Sequence, residues 1–147
     1  MMAIKLYPGY ENWSELELLT GAIIGEARNQ CRAGREAVGI TIRNRVIGPW
    51  PWWGRNWREV ILQDRQFSCW ADRNASVIIS EYNRKTPLWT ENFKIAADIY
   101  LDKIIDSIGG PTHYHSKTIK PYWISDCVFL KQIGDHLFYR LKHREEQ

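Results

Sequence analysis

Apolar residues recur at helical spacing early in the chain: Leu16, Leu19, Ile23, Ile24 and Ala27 fall along one side of a helix. Ser14-Glu-Leu-Glu17 matches a capping box and predicts where that helix begins. Gly25 weakens its last turns, and residues 29–34 read as its exit. Val38, Ile42 and Val46 predict a second helix over 35–46, stopped by Gly48-Pro49. A short helix is expected over 57–62, with an irregular stretch over 63–70. Residues 74–83 fit helix or strand, since Ser76-Val-Ile-Ile79 suits either period. From near Thr90, a further helical side gathers Phe93, Ala96, Ala97, Tyr100, Ile104 and Ile108, and Gly109-Gly110-Pro111 stops it. Residues 112–115 and 128–130 read as short extended pieces, and 133–141 as a final strand or turn. No repeat, low-complexity tract or linker interrupts the chain. The expectation is an α+β fold, mainly α with a small β element, forming a single domain over 1–147 with its core at about 14–141 and a cleft beside the first helix.

One position breaks the first helix's pattern. At about 100° per residue, Glu26 lies within roughly 60° of Leu19 and Ile23, on the apolar side. Desolvation disfavours a charged carboxylate and raises its pKa, which is how a glutamic acid keeps a proton near neutral pH and serves as a general acid. Geometry alone leaves a second reading open, in which Glu26 is a structural partner for Arg28, Arg32 or Arg43.

Composition narrows the partners. With 147 residues, 44% of them hydrophobic, the chain can bury a core without metal or disulfide staples. Its formal charge of +3 suits a polyanionic partner, a bacterial wall or a nucleic acid, without choosing between them. Cys31, Cys69 and Cys127 form no metal-type pair and no even framework, so they are expected to be buried or idle thiols. The N-terminal residues contain no long apolar segment, and no run of about 18 apolar residues occurs anywhere, so neither a Sec-type leader nor membrane insertion is expected. Eight tryptophans stand out, four of them in Trp50-Pro-Trp-Trp-Gly-Arg-Asn-Trp57. Such indoles either stack on sugar rings or bases, or fold onto the core; the Pro and Gly residues around them mark an irregular surface connection.

Other chemistry is weaker. His113 and His115 share one face if their segment is extended, a possible zinc pair for a peptidase. A third ligand would have to come from Asp126, Cys127, His136 or His143, none at a familiar zinc spacing. Cys69 would act as a nucleophile only if a histidine from elsewhere in the chain reached it, and a lone Cys between Ser and Trp is more often packed than reactive; no Gly-rich phosphate loop is present.

Taken in order, Gly25-Glu-Ala-Arg28, Gly34-Arg-Glu-Ala-Val38 with Ile42-Arg-Asn-Arg-Val46, Gln66-Phe-Ser-Cys-Trp70, Thr112-His-Tyr-His115 with Pro121-Tyr-Trp123, and Ile133-Gly-Asp-His-Leu-Phe-Tyr139 resemble the SleB-type cell-wall hydrolase family. The resemblance spans about residues 18–140. It implies a lysozyme-like, lytic transglycosylase-like domain that cleaves peptidoglycan glycan strands between N-acetylmuramic acid and N-acetylglucosamine, with Glu26 as the catalytic acid. Gln66, Ser68, Tyr114, His115 and Trp123 are the residues it implies for the saccharide cleft. Neither a metal nor another cofactor is implied, and a monomer without a nucleic-acid partner is expected. The Trp50 to Trp57 stretch is more aromatic than the family's usual loop. Lacking a leader and a wall-binding domain, the chain looks like a phage or prophage endolysin made in the cytoplasm and released by a holin. No second carboxylate is signposted near the motifs, with Asp72, Asp126 and Asp135 left open for that part, which favours the transglycosylase route over a muramidase using water; a zinc peptidase acting through His113 and His115 is the remaining alternative.

Overall fold

The computed structural model describes residues 9–10, 12–48, 50–63, 68–70, 74–143 and 146. Five helices come first: α1 (Glu15–Ala27), α2 (Arg32–Ile47), α3 (Trp57–Leu62), α4 (Asn74–Arg84) and α5 (Pro87–Tyr100). Three strands follow, β1 (His113–Ser116), β2 (Cys127–Ile133) and β3 (His136–Leu141), in an antiparallel sheet of order β1-β3-β2. Single 3-10 turns lie at Pro51–Trp53, Ser68–Trp70 and Tyr122–Asp126.

Helix α1 runs through the centre. The capping box forms as read: Ser14 Oγ accepts from Glu17 N at 3.1 Å, and Glu17 Oε1 accepts from Ser14 N at 2.9 Å. Every residue of α1 from Leu18 to Ile24 is buried, so the helix is enclosed on nearly all sides. Gly21 and Gly25 make this possible. A Cβ on Gly21 would lie 2.6 Å from the Trp70 ring, and one on Gly25 would lie 2.6 Å from Cys69 Cβ. The two glycines, one helical turn apart, form a flat seat for the Ser68–Trp70 turn. The glycine that weakens α1 as a helix therefore lets another segment pack directly against it, one residue before Glu26.

The second helix starts at Arg32, three residues earlier than its apolar spacing predicts, with Cys31 at the N-cap making no side-chain cap bond. Residues 74–84, open between two readings in the sequence, are helical. The fifth helix corrects an expectation. Thr86 caps it, with Oγ1 accepting from Trp89 N at 3.3 Å, and it ends at Tyr100 rather than continuing to Gly109. Asp102 adopts φ 59°, which no helix allows, and Asp106 then accepts from the backbone of Ile108, Gly109 and Gly110. Ile104 and Ile108 still pack against the core, so the periodicity reported their burial correctly and their conformation wrongly.

One apolar cluster extends from Tyr10 through α1, α2, α4 and α5 to Phe138. The sheet joins it through one face: Tyr114 and Phe138 pair across β1 and β3 with rings 5.7 Å apart, while His113 and His115 point to the opposite face. The β2–β3 hairpin is pinned to the α1–α2 connection by Gln30. Its Nε2 donates to Asp135 Oδ2 at 3.0 Å, and its Oε1 accepts from Asp135 N at 3.0 Å. Gly134, at φ 56°, has no room for a Cβ beside that carboxamide. This clamp sets the hairpin beside the C-terminal end of α1. All three cysteines are free thiols, Cys69 and Cys127 buried and Cys31 exposed.

Candidate active site

Glu26 sits half-buried in the last turn of α1 and accepts a hydrogen bond of 2.5 Å from the Tyr114 hydroxyl at Oε1. Two elements 88 residues apart in sequence therefore meet at one carboxyl group. Burial first, and the Glu26 carboxylate second, hold the Tyr114 hydroxyl well above the ordinary tyrosine pKa, so it stays protonated and donates. The arginines offered as structural partners have other contacts: Arg32 pairs with Glu36, Arg43 with Asp102, and Arg28 donates to Asn74 Oδ1.

Two cavities adjoin this pair. The first, about 300 Å³, is lined by Glu26 with Arg28, Asn29, Gln30, Asn74, Ser116, Asp135 and His136, a polar wall in which two carboxyl groups and three amides stand with a guanidinium, a hydroxyl and an imidazole. Asp135 Oδ2 is held by Gln30 and Oδ1 by Lys117, and these two contacts keep its carboxyl below the usual carboxylate range. The second cavity, about 340 Å³, is lined by Tyr114 together with Arg45, His113, Trp52, Trp53, Tyr122 and Trp123, and is largely aromatic. Tyr114 and Glu26 thus stand between a polar hollow and an aromatic one.

Of the residues expected to line the saccharide cleft, the structure brings Tyr114 and Trp123 to the aromatic cavity. His115 lies behind them: its Nε2 is 3.0 Å from the Tyr139 hydroxyl, its ring stacks on Tyr139, and Trp123 meets it edge-on at 5.7 Å. It supports Trp123 rather than lining either cavity. Ser68 opens the turn that packs on Gly21 and Gly25, and Gln66 lies outside the described residues. The tryptophan stretch divides. Trp52 is 58% exposed and stacks on Trp50 at 4.7 Å, whereas Trp53 is 5% exposed beneath the Arg45 guanidinium. The core-packing reading holds for Trp53, whereas Trp52 stays at the surface.

No role at the cleft was read from sequence for Arg45, while His136 entered only as a possible zinc ligand and Asp135 only as a possible second acid. A signal for Arg45 was present: it follows Ile42 by three positions and Val38 by seven, so it falls on the buried side of α2. Burial lowers its pKa to about 10, which leaves it charged at neutral pH. His113 lies next to this cation. Burial, then Arg45, lowers the imidazole pKa to about 4, so it is neutral under ordinary conditions. That setting suits a metal dication poorly, and no group of three potential ligands comes together among the described residues.

The buried neutral imidazole has a consequence for stability. Between pH 6.5 and 4 the unfolded chain takes up a proton at His113 that the folded chain does not, so folding stability falls as pH drops through that window. His136, also lowered mainly by burial, acts in the same direction. The melting temperature should therefore fall from pH 7 to pH 4.5, and His113→Gln should flatten that fall. An unchanged slope in the variant would contradict the assignment.

Comparison with known proteins agrees with this architecture. The structure superposes with TM-score 0.67 on the catalytic domain of the germination-specific lytic transglycosylase SleB from Bacillus anthracis, at 24% identity over 88% of this chain and 98% of that one. The catalytic domain of the Bacillus cereus SleB protein gives 0.65 at 22% identity, covering 92% and 95%. These likenesses concern the fold. A spore cortex-lytic enzyme from Halalkalibacterium halodurans is 29% identical over 137 residues, 92% of this chain; the chain spans 37% of that relative's length. The family model described as Cell Wall Hydrolase matches residues 29–139, beginning three residues past Glu26. With most of its length so matched, this chain belongs to the cell wall hydrolase family.

Proposed function

We propose that this protein cleaves the glycan strand of peptidoglycan between N-acetylmuramic acid and N-acetylglucosamine as a lytic transglycosylase, with Glu26 as its catalytic residue. The observation that carries the reading is the Tyr114–Glu26 hydrogen bond at the meeting point of two cavities. A strand crossing from the aromatic hollow to the polar one brings a glycosidic bond past the carboxyl group. The names of the relatives, a lytic transglycosylase and a spore cortex-lytic enzyme, support the same substrate and reaction.

In this mechanism the protonated Glu26 gives its proton to the glycosidic oxygen as the C1–O bond breaks, leaving positive charge on the muramic ring. The resulting carboxylate then takes the proton from the muramic 6-hydroxyl. That oxygen closes on C1, forming a 1,6-anhydro ring and regenerating the acid. A positioned general acid contributes about 10²–10⁴-fold. One carboxylate serves both steps, whereas hydrolysis uses two. Asp135 shares the cavity, but each of its oxygens is engaged, by Gln30 and by Lys117, and its place in the hairpin clamp makes it a fastener of the site. The Tyr114 donor fixes the carboxyl group's orientation.

Digestion of purified sacculi tests the bond that is cut. The glycan reading predicts soluble fragments with intact peptide stems, no new free amino groups and no effect of a chelator. New amino groups, lost on adding chelator, would favour a peptidase. Exposed Trp52 is read as a sugar platform: Trp52→Ala should weaken binding of the Glu26→Gln protein to sacculi about 2- to 10-fold. Unchanged binding would return that indole to a packing role. The proposed route to the wall is release by a holin, with the protein acting as a monomer; no helix among the described residues is long and apolar enough to cross a membrane.

A further inference from the structure

A third hollow, about 270 Å³, lies beyond the aromatic cavity and shares one wall with it, the Trp53 indole. Trp50 lines this third hollow and Trp52 lines the aromatic one, while the two rings stack on each other at 4.7 Å with 28° between their planes. Each indole gives one face to its neighbour, so the pair forms a double partition whose outer faces serve different hollows. Trp53 lies beneath at 5% exposure and Trp52 stands at the surface at 58%, so the way from one hollow to the other runs over the pair.

Most polar groups around the third hollow already have partners. Arg140 donates to both Glu146 carboxylate oxygens, at 2.7 and 2.9 Å, and Lys142 Nζ donates to the Ser125 carbonyl at 2.8 Å. Asn44 Nδ2 donates to the Pro111 carbonyl at 2.8 Å, and Thr112 Oγ1 accepts from Leu141 N at 2.8 Å. What remains is the flat surface of Trp50, the Leu141 side chain and the bare backbone of Gly48, Gly109 and Gly110, with His143 exposed at the rim. Such a lining suits a flat, uncharged ligand held by an apolar face, and an indole packs on the C–H face of a sugar ring in that way. Cavities of about 300–1,000 Å³ enclose ligands of several rings, so this one has room for a single ring.

We infer that the Trp50 hollow is a further subsite for the glycan, taking one N-acetylglucosamine ring that lies beyond those held beside Glu26. This rests on the glycan-cleaving reading and adds to it a dependence on strand length. N-acetylglucosamine is the sugar of the strand that carries no stem peptide, and one ring fills a cavity of this volume, leaving no space for a stem. The strand passes over the exposed rim of the Trp50–Trp52 pair, with one ring against Trp52 in the aromatic cavity and another against Trp50. Trp50 is then a binding residue for long strands only, whereas Trp52 serves every strand that reaches the aromatic cavity.

Calorimetric titration of the Glu26→Gln protein with stem-bearing glycan strands of increasing length, from a single disaccharide unit upward, tests this. Trp50→Ala added to that protein should leave the affinity of the shortest strand that binds unchanged and weaken the longest about 3- to 10-fold. Trp50→Phe keeps a flat face and should restore most of the difference. Trp52→Ala should weaken every length. In Trp50→Ala, a loss of equal size at all lengths would make Trp50 a support for Trp52, and unchanged affinity at all lengths would show that no ring reaches the hollow. Either result overturns this inference and leaves the glycan reading standing; binding of no strand at all overturns both. Trp50→Leu, which keeps apolar bulk without a flat face, should show the same length-dependent loss and decides the matter if Trp50→Ala does not fold.

Discussion

Glu26→Gln should cut the rate of turbidity loss of purified sacculi by about 10²–10⁴-fold. The substitution keeps length, shape and nearly the same volume in the last turn of α1, and the amide oxygen still accepts from Tyr114. It removes only the transferable proton. The melting temperature and binding to sacculi should stay close to those of the unsubstituted protein. A variant that clears sacculi at the original rate would show that catalysis lies elsewhere and that Glu26 is a buried packing contact.

Tyr114→Phe should lower kcat by about 10- to 100-fold, because a hydrogen bond to a charged group is worth about 1.5–3 kcal/mol. The ring's packing against Phe138 and His136 is kept, so the sheet should remain in place and KM should change little. That split marks a positioning residue, which acts by holding the Glu26 carboxyl group. Steady-state kinetics on soluble glycan strands would measure it. A rise in KM with unchanged kcat would instead make Tyr114 a binding residue.

The elements most legible in the sequence were those specified locally. The Ser14–Glu17 box and the run from Leu16 to Ala27 define α1 by short-range capping and periodicity, and the motif glutamate on its apolar side lies where the cleft is. Features that depend on distant contacts were not legible. Nothing near Thr90 announces that Asp102 turns the chain out of the helix, because the turn is set by Asp106 gathering three backbone donors and by Arg43 pairing with Asp102 across the fold. Gly25 read as a local weakness; its purpose is visible only once Cys69 is seen against it. The tryptophan stretch could not be divided from sequence, since neighbouring indoles at 52 and 53 have opposite exposures set by where Arg45 and His113 lie. His115 shows the same limit: its ring faces Tyr139 on the far side of the sheet from Tyr114.

The most direct test of a single carboxyl group acting as acid and then base is the mass of the glycan ends released from sacculi by the unsubstituted protein. Closure of the 6-hydroxyl on C1 leaves 1,6-anhydromuramic ends, each lighter by one water than a hydrolysed end, and the account predicts that these dominate. Fragments carrying ordinary reducing muramic ends, with no anhydro product, would contradict it.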